Sequence, residues 1–404
     1  MSSETTVRVA TPTADYNAVV GTGLIDTLGD HLREAVPSAT AALLVTDANL
    51  PDDTKQRART ALTGYRLAEV DLLPTETDKS IATWQRILEA CASHRLERTA
   101  AVIALGGGIV GDPAGFAAAS YRRGINVIQC PTTLLAMVDA SVGGKAGVNL
   151  KLDTMPPPHL GGTGVPPVST PSPTVLKNFV GAFHHPKRIL ADASTLHSLP
   201  PREFAAGLAE CIKHSMIAGP YDQPDLGPFL DQNLETITTR DENTLAALVA
   251  ANIRLKATIV ATDEHETSTG TAGRALLNLG HTFAHAIETL PGITHNQGAE
   301  TRHGLLHGEA VALGLVAAAT YAVSTNQLAK PDLDQLLTRL ARANLPTKAA
   351  GLPDPTIILD RMGDDKKAAA GQLRLVVPQA NAAATVTRDI DTNAVVTAIE
   401  AIRV

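Results

Sequence analysis

The densest run of side chains able to do chemistry is RALLNLGHTFAHAIE, residues 274–288. His281 and His285 are four positions apart, so on a helix both point the same way. That spacing suits two metal ligands, or one ligand beside one acid/base group. Arg274 and Asn278 come seven and three positions before His281, which puts them on the same helical face one or two turns away. A solvated face would carry Glu and Lys, so Arg, Asn and two His argue for a site. Two more groups belong with them. Glu210 and Lys213 are i, i+3 in the otherwise apolar GLAECIKHSM, and His307 opens a long apolar stretch. Glu210, His281 and His307 make a candidate Glu/His/His set for Zn²⁺ with one coordination position left open. His184, His185, His295 and His303 read as solvent-facing.

A second kind of chemistry is written in glycine. GGGIVGD, Gly106–Asp112, follows an apolar run and leads into AGFAAASYRRG. Glycines let backbone approach a diphosphate, and a following helix N-terminus offers N–H donors. The pattern is not G-x-G-x-x-G, so a plain strand–helix turn fits it too. Asp47, with Asn49 two residues on, ends an apolar run, where a carboxylate can hold a ribose diol or simply form a turn. PTTLLAMVDASVGGKAGVN, Pro131–Asn149, places Asp139 and Lys145 among small apolar residues. Charges in such surroundings are paired or functional.

The elements that must position these groups follow from the hydrophobic period. AALLVTD, TAAVIALG and GINVIQCP read as buried strands. KSIATWQRILEACASHRLER carries Ile81, Trp84, Ile87, Leu88 and Cys91 on one helical face. Alternation of such strands with helices predicts a parallel sheet covered on both faces. From about Pro200 the runs are long, alanine-rich and helical in period. The expected architecture is an α/β domain with a parallel sheet over residues 1–195, then a mostly α-helical domain over 196–404. TMPPPHLGGTGVPPVSTPSPT, Thr154–Thr174, can form neither helix nor central strand. It reads as a dispensable surface insertion.

Composition sets the limits. A chain of 404 residues can build a core without structural metal or disulfide. A net charge of −7 excludes a global basic field for nucleic acid or an anionic membrane, while leaving room for a local cationic pocket. Aromatics at 3% are too few for a base-stacking platform. Cys91, Cys130 and Cys211 are odd in number and widely spaced, which suits a reducing compartment. The start, MSSETTVRV, lacks a basic and apolar leader. The apolar run Ala310–Val323 is shorter than the ~20 residues a bilayer requires. A cytoplasmic protein is expected, with no membrane or nucleic-acid partner.

Taken together, ALGGGIVGDPAGFAAASYRRG, PTTLLAMVDASVGGKAGVN, LPPREFAAGLAECIKH, NLGHTFAHAIE and LHGEAVALG resemble the 3-dehydroquinate synthases of the sugar-phosphate cyclase superfamily. The likeness runs from near residue 7 to the C-terminus, insertions apart. It implies an N-terminal dinucleotide-binding α/β domain and a C-terminal helical domain that binds metal and substrate, with NAD and Zn²⁺ or Co²⁺ as cofactors and an active site between the two. The implied reaction turns 3-deoxy-D-arabino-heptulosonate 7-phosphate into 3-dehydroquinate and phosphate by transient oxidation, phosphate elimination, re-reduction and aldol closure. Positions matching NAD contacts are Asp47, Asn49, Glu76 and Lys79. They continue through the turn Gly108, Ile109, Val110, Gly111 and Asp112, then Thr132, Thr133, Asp139, Lys145 and Lys177. Thr195, Leu196, His197 and Ser198 complete that set. The metal-ligand positions are Glu210, His281 and His307. Arg123, Lys145, Asn178, Lys213, Lys256, Arg274, Asn278 and His285 match substrate-binding or catalytic positions, as does Lys366 or Lys367 in the DKK segment. His285 is the implied proton relay. The Arg123 position reaches a partner's site in the family, which implies a homodimer.

Two departures from the family pattern stand out. TETDK replaces a glycine-rich lead into Lys79, and Ala146 replaces a threonine in GGKAGVN. An amino-dehydroquinate or valiolone-type synthase is the nearest alternative, and retention of Lys256, Arg274, Asn278 and His285 favours a carboxylate-bearing substrate over the latter. A metal-dependent polyol dehydrogenase would accumulate NADH, and a non-catalytic relative would have lost a metal ligand.

Overall fold

The computed structural model describes residues 4–152, 174–268, 273–297, 300–364 and 373–404. Lys366, Lys367 and all of the proline-rich segment except Thr174 lie outside them. The chain divides into two compact units, each discontinuous in sequence. One, the helical unit, takes Met1–Leu24, Thr132–Gly143 and Ala191–Val404. The other, the α/β unit, takes Ile25–Pro131 and Gly144–Leu190.

The chain begins with β1 (Thr5–Ala10) and β2 (Asp15–Gly21), an antiparallel hairpin of the helical unit. Next come α1 (Leu28–Ala35), β3 (Ala41–Asp47), α2 (Asp52–Ala61), β4 (Arg66–Leu72), α3 (Ile81–Ser93), β5 (Ala101–Gly106), α4 (Gly108–Ser120) and β6 (Asn126–Pro131). They are followed by β7 (Lys145–Leu152), β8 (Thr174–Phe183) and β9 (Arg188–Asp192). In the α/β unit β4, β3, β5, β6 and β9 are neighbours in that order, all parallel, with Val45 opposite both Val70 and Ala104. Their continuous apolar runs are what a sheet covered on both faces demands. Leu43, Val45, Val102 and Ala104 pack with Ile87 and Cys91 of α3 and Val110, Ala114 and Ala117 of α4. The predicted α3 face is therefore the one buried, and Ser80 caps the helix by accepting from the Thr83 amide at 3.3 Å. β7 and β8 form a separate antiparallel hairpin with a register shift between Val148 and Leu150.

The helical unit adds α5 (Pro201–Ser215), α6 (Leu226–Thr238), α7 (Glu242–Thr262) and α8 (His281–Glu288). A short hairpin, β10 (Thr294–Gln297) with β11 (Glu300–His303), leads to α9 (His307–Ser324). α10 (Lys330–Arg342), α11 (Pro355–Asp364), the hairpin of β12 (Leu375–Gln379) and β13 (Ala383–Thr387), and α12 (Thr392–Ala401) complete it. α9 is the predicted buried apolar helix: every residue from Gly308 to Ala319 is buried. α7 is long and apolar enough to cross a membrane by length and composition, but most of it is buried inside the protein.

The helical face expected to run from Arg274 to His285 does not exist as one helix. Arg274–Asn278 is a short 3₁₀ turn, and α8 starts afresh at His281. Gly280 lies between them with φ of +78°, a left-handed conformation that ends one helix and starts another in a new direction. Close packing demands glycine there too. A Cβ at Gly280 would lie 2.9 Å from the Leu315 amide nitrogen, and one at Gly314 would lie 2.2 Å from the Gly280 carbonyl oxygen.

Candidate functional site

Three helices of the helical unit each deliver one ligand-type side chain: Glu210 from the middle of α5, His281 from the first residue of α8, and His307 from the first residue of α9. Glu210 is fully buried, and its Oε1 lies 3.7 Å from Nε2 of both His281 and His307. Its Oε2 is paired with the buried Lys213 ammonium, while Oε1 has no hydrogen bond among the described residues. A buried carboxylate oxygen without a partner is costly unless something binds it. Each imidazole is anchored at its other nitrogen. His281 Nδ1 faces the Leu279 carbonyl at 3.2 Å, and His307 Nδ1 faces Glu288 Oε2 at 3.3 Å. An acceptor at Nδ1 holds the proton there and leaves the Nε2 lone pair directed at the shared point. Burial first, then Lys213 and the other two imidazoles, pushes the His281 pKa well below its usual value, so it is neutral. The three ligand atoms lie within 4.8 Å of one another. Burial would lower the His307 pKa, but Glu288 and Glu210 raise it, so this ring gives up a proton when it binds a metal. Two imidazoles and one carboxylate fit a divalent metal with an open position.

His285 sits one turn beyond His281 on α8 and is exposed, its ring 5.5 Å from that of His281 and 6.3 Å from that of His307. Lys213 is buried with its ammonium against Glu210. Lys256 of α7 pairs with Asp139 at 2.5 Å and also donates to the Asp139 carbonyl. Asp139 lies on a π-helical turn, Ala136–Ala140. Burial, opposed by Asp139, brings the Lys256 pKa down to about 8, so it is mostly charged at neutral pH. Burial would raise the Asp139 carboxyl, but Lys256 and Lys213 hold it well below the usual range. The Asp139–Lys pair considered from sequence thus forms with Lys256 rather than Lys145. Arg274 is buried, donating to the carbonyls of Gly143 and Glu264, and Asn278 donates to Glu266 at 3.0 Å. Thr132 is buried, and Thr133 Oγ1 accepts from the Ala136 amide. Thr195 Oγ1 donates to the Asp192 carbonyl, Leu196 is buried, His197 pairs with Glu242 at 3.0 Å, and Ser198 donates to the Thr195 carbonyl.

The α/β unit holds the other candidates. Gly106 ends β5, and the half-buried Gly108 and Ile109 open α4, leading into buried Val110 and Gly111. The first turn of α4 carries no acidic side chain and has no side-chain cap, which leaves that N-terminus open to an anion. Asp112, next in the helix, pairs with the buried Lys79 at 2.5 Å. Asp47 Oδ1 accepts from the Asn49 amide at 2.7 Å, and burial raises its pKa. Asn149 ties two predicted positions together: its amide donates to Glu76 Oε1 at 2.7 Å and its oxygen accepts from the Asn178 amide at 2.8 Å. Lys145, Lys177 and Arg123 are exposed, and Arg123 has a left-handed φ of +68°.

Sequence reasoning missed several groups. His295 is buried, not solvent-facing, with Nε2 3.2 Å from Glu309 Oε2. Glu309 also takes two bonds of 2.7 Å from Arg202. Burial would raise its pKa, yet His295, Arg202 and the Leu306 amide together bring it down to about 2. His214, fully buried, faces Asn252 Oδ1 at 2.9 Å, and burial lowers its pKa to about 4. His184 and His185 are half-buried, and only His303 of the four spare histidines is exposed.

Comparison with known proteins gives the following. The family described as 3-dehydroquinate synthase N-terminal matches residues 69–154, and 3-dehydroquinate synthase C-terminal matches residues 207–368. The chain is 38% identical over 391 residues to the 3-dehydroquinate synthase of Symbiobacterium thermophilum, covering 96% of this chain and 98% of that one. It is 38% identical over 390 residues to that of Halorhodospira halophila, covering 96% and 97%. Among solved structures it is similar to 2-epi-5-epi-valiolone synthase from Streptomyces hygroscopicus with NAD⁺ and Zn²⁺ bound. The TM-score is 0.77 at 22% identity, with 97% and 98% of the chains covered. A 2-deoxy-scyllo-inosose synthase with carbaglucose-6-phosphate, NAD⁺ and Co²⁺ gives 0.75 at 23% identity, covering 98% and 99%. At these identities the structural likeness establishes a shared fold.

Proposed function

The chain belongs to the 3-dehydroquinate synthase family, and we propose from that premise that Glu210, His281 and His307 hold its divalent metal while the turn Gly108–Asp112 receives NAD. The enzyme is a phosphorus–oxygen lyase that converts 3-deoxy-D-arabino-heptulosonate 7-phosphate to 3-dehydroquinate and phosphate, without net redox change. The observation that carries the metal assignment is the convergence of Nε2 of His281 and Nε2 of His307 on the buried Oε1 of Glu210, which has no hydrogen bond among the described residues. For NAD the support is the uncapped glycine start of α4, with Lys79 and Asp112 paired beside it. Solved structures of this fold hold NAD⁺ with Zn²⁺ or Co²⁺, which supports the choice of cofactors.

When bound, the metal supplies Lewis-acid polarisation of substrate hydroxyls and NAD supplies a reversible hydride acceptor. The chain's own residues do the rest. Lys213, Lys256 and Arg274 bring positive charge to an anionic substrate's carboxylate and phosphate. A buried ammonium or guanidinium binds such a group more strongly than an exposed one, because water screens it less. Asn278, and Asn178 in the α/β unit, supply neutral hydrogen bonds. His285 is exposed beside the ligand imidazoles, and its ring is placed to pass a proton between a substrate hydroxyl and water. Thr132, Thr133, Asp139 and Thr195–Ser198 contribute further cofactor contacts, as do Asp47, Asn49, Glu76, Lys145 and Lys177. Lys366 or Lys367 adds a further substrate cation. The protein works in the cytoplasm as a homodimer, with Arg123 presented to the partner.

Incubation with the heptulosonate phosphate, NAD⁺ and Zn²⁺ tests this reading. Equimolar phosphate and dehydroquinate, with no lasting NADH absorbance, are expected. Accumulating NADH without phosphate release would replace it with a polyol dehydrogenase.

A further inference from the structure

Three turns of α5 meet three consecutive residues at the start of α9. Arg202, Ala206 and Glu210 are i, i+4 and i+8 on α5, a single stripe of that helix. Their partners are Glu309, Gly308 and His307, in that order. Arg202 binds Glu309 through Nε to Oε1 and Nη2 to Oε2, both at 2.7 Å. Ala206 packs so closely on Gly308 that a Cβ there would lie 1.9 Å from the Ala206 carbonyl oxygen. Glu210 Oε1 faces His307 Nε2 at 3.7 Å. The far end of the stripe is thus a bidentate ion pair, and the near end is two of the three proposed metal ligands.

The same carboxylate fixes the backbone that leads into His307. Glu309 Oε2 accepts from the Leu306 amide at 2.7 Å, closing the first turn of α9. Arg202 Nη2 also donates to the Gly304 carbonyl at 2.7 Å. His295, 3% exposed on β10, stands 3.2 Å from Glu309 Oε2. A bidentate Arg–carboxylate pair fixes direction as well as distance, which a single hydrophobic contact cannot. Glu309 is 1% exposed, so its three partners are not exchanged for water.

We propose that Arg202 is a positioning residue for the metal centre, acting through Glu309 to hold His307 in register with Glu210. The inference rests on the assignment of Glu210, His281 and His307 as metal ligands. Partners of this outer kind cost metal affinity when removed, by about 10- to 100-fold.

The test titrates metal-free protein with Zn²⁺ against a competing chelator, alongside thermal unfolding of the same metal-free samples. Arg202→Met should weaken Zn²⁺ binding about 10- to 100-fold, with Arg202→Lys in between. Arg339→Met removes an ion pair with Asp231 elsewhere in the same unit. It should lower the Tm and leave Zn²⁺ affinity unchanged. Wild-type affinity in Arg202→Met, whatever its Tm, would overturn the proposal. If Arg202→Met does not fold, Arg202→Lys and Glu309→Gln decide: weakened binding in both upholds the clamp, and wild-type binding in both overturns it. Glu210→Gln separates the two levels. Zn²⁺ binding unaffected by Glu210→Gln removes the metal assignment itself. Binding lost in Glu210→Gln but kept in the Arg202 variants removes the clamp alone.

Discussion

His281 and His285 stand one turn apart on α8, yet only His281 is buried and held at Nδ1 by the Leu279 carbonyl. His285 is exposed, and an exposed ring can exchange its proton with water. His285→Ala should therefore retain metal and slow turnover about 10²-fold or more, the usual scale for a lost acid/base group. Steady-state kinetics with metal analysis on the same sample checks this, and a stoichiometric loss of metal would make His285 a ligand instead. The two histidines were legible because they share a short motif. Glu288 behind His307, Asn252 behind His214, and Arg202 with His295 around Glu309 were not. Each of these joins residues on different elements, and no local period records such a pairing. The Lys256–Asp139 pair spans 117 residues and was hidden for the same reason.

At the scale of elements, the crossing of α8 and α9 at Gly280 and Gly314 sets where His281 is held. Gly314→Ala would drive a methyl to 2.2 Å from the Gly280 carbonyl oxygen. Overpacking of this kind typically costs about 1–3 kcal/mol, and here α8 must move to relieve it. The expected result is a lower urea midpoint together with weaker Zn²⁺ binding. A variant as stable as wild type would mean that the helices do not cross so closely. β3, β5 and β6 were readable from continuous apolar runs, α4 from the glycine turn before it, and α9 from its length. The break before α8 was not. The sequence carries a helical period on both sides of Gly280, and the extended Leu279 and the left-handed φ of +78° at Gly280 separate them.

At the scale of the whole molecule, removal of the metal should abolish activity and leave the fold largely intact. Three ligands with an open position suit catalysis, and a chain this long has apolar area enough to fold without them. Unchanged far-ultraviolet circular dichroism after chelation, with turnover restored by Zn²⁺ or Co²⁺, is the expected pair of results. Full turnover in rigorously metal-free protein would end the assignment. Acid should expose the Glu309 cluster. Its carboxyl is lowered from an ordinary 4.5 to about 2, so its stabilisation is complete above about 4.5 and disappears as pH falls towards 2. The stability difference between metal-free wild type and Glu309→Gln should shrink across that window, by up to about 1.4 kcal/mol per pH unit. A difference independent of pH would show that Glu309 does not gain its stability as an anion.

The hairpin of β1 and β2 belongs with Ala191–Val404, packed against α7, although the α/β unit lies between them in the chain. A ribosome adds about 5–20 residues per second, so roughly 8–35 s separate the emergence of Gly21 from that of Ala191. The α/β unit has its whole sequence by Leu190 and can close in that interval. Throughout it, Val7, Val9, Val19 and Val20 have no α7 to cover them. During that interval the growing chain carries an apolar hairpin without the helix that covers it. A circular permutant beginning at Ile25, with the hairpin joined after Val404, would abolish that delay and should reach its native yield with less chaperone assistance.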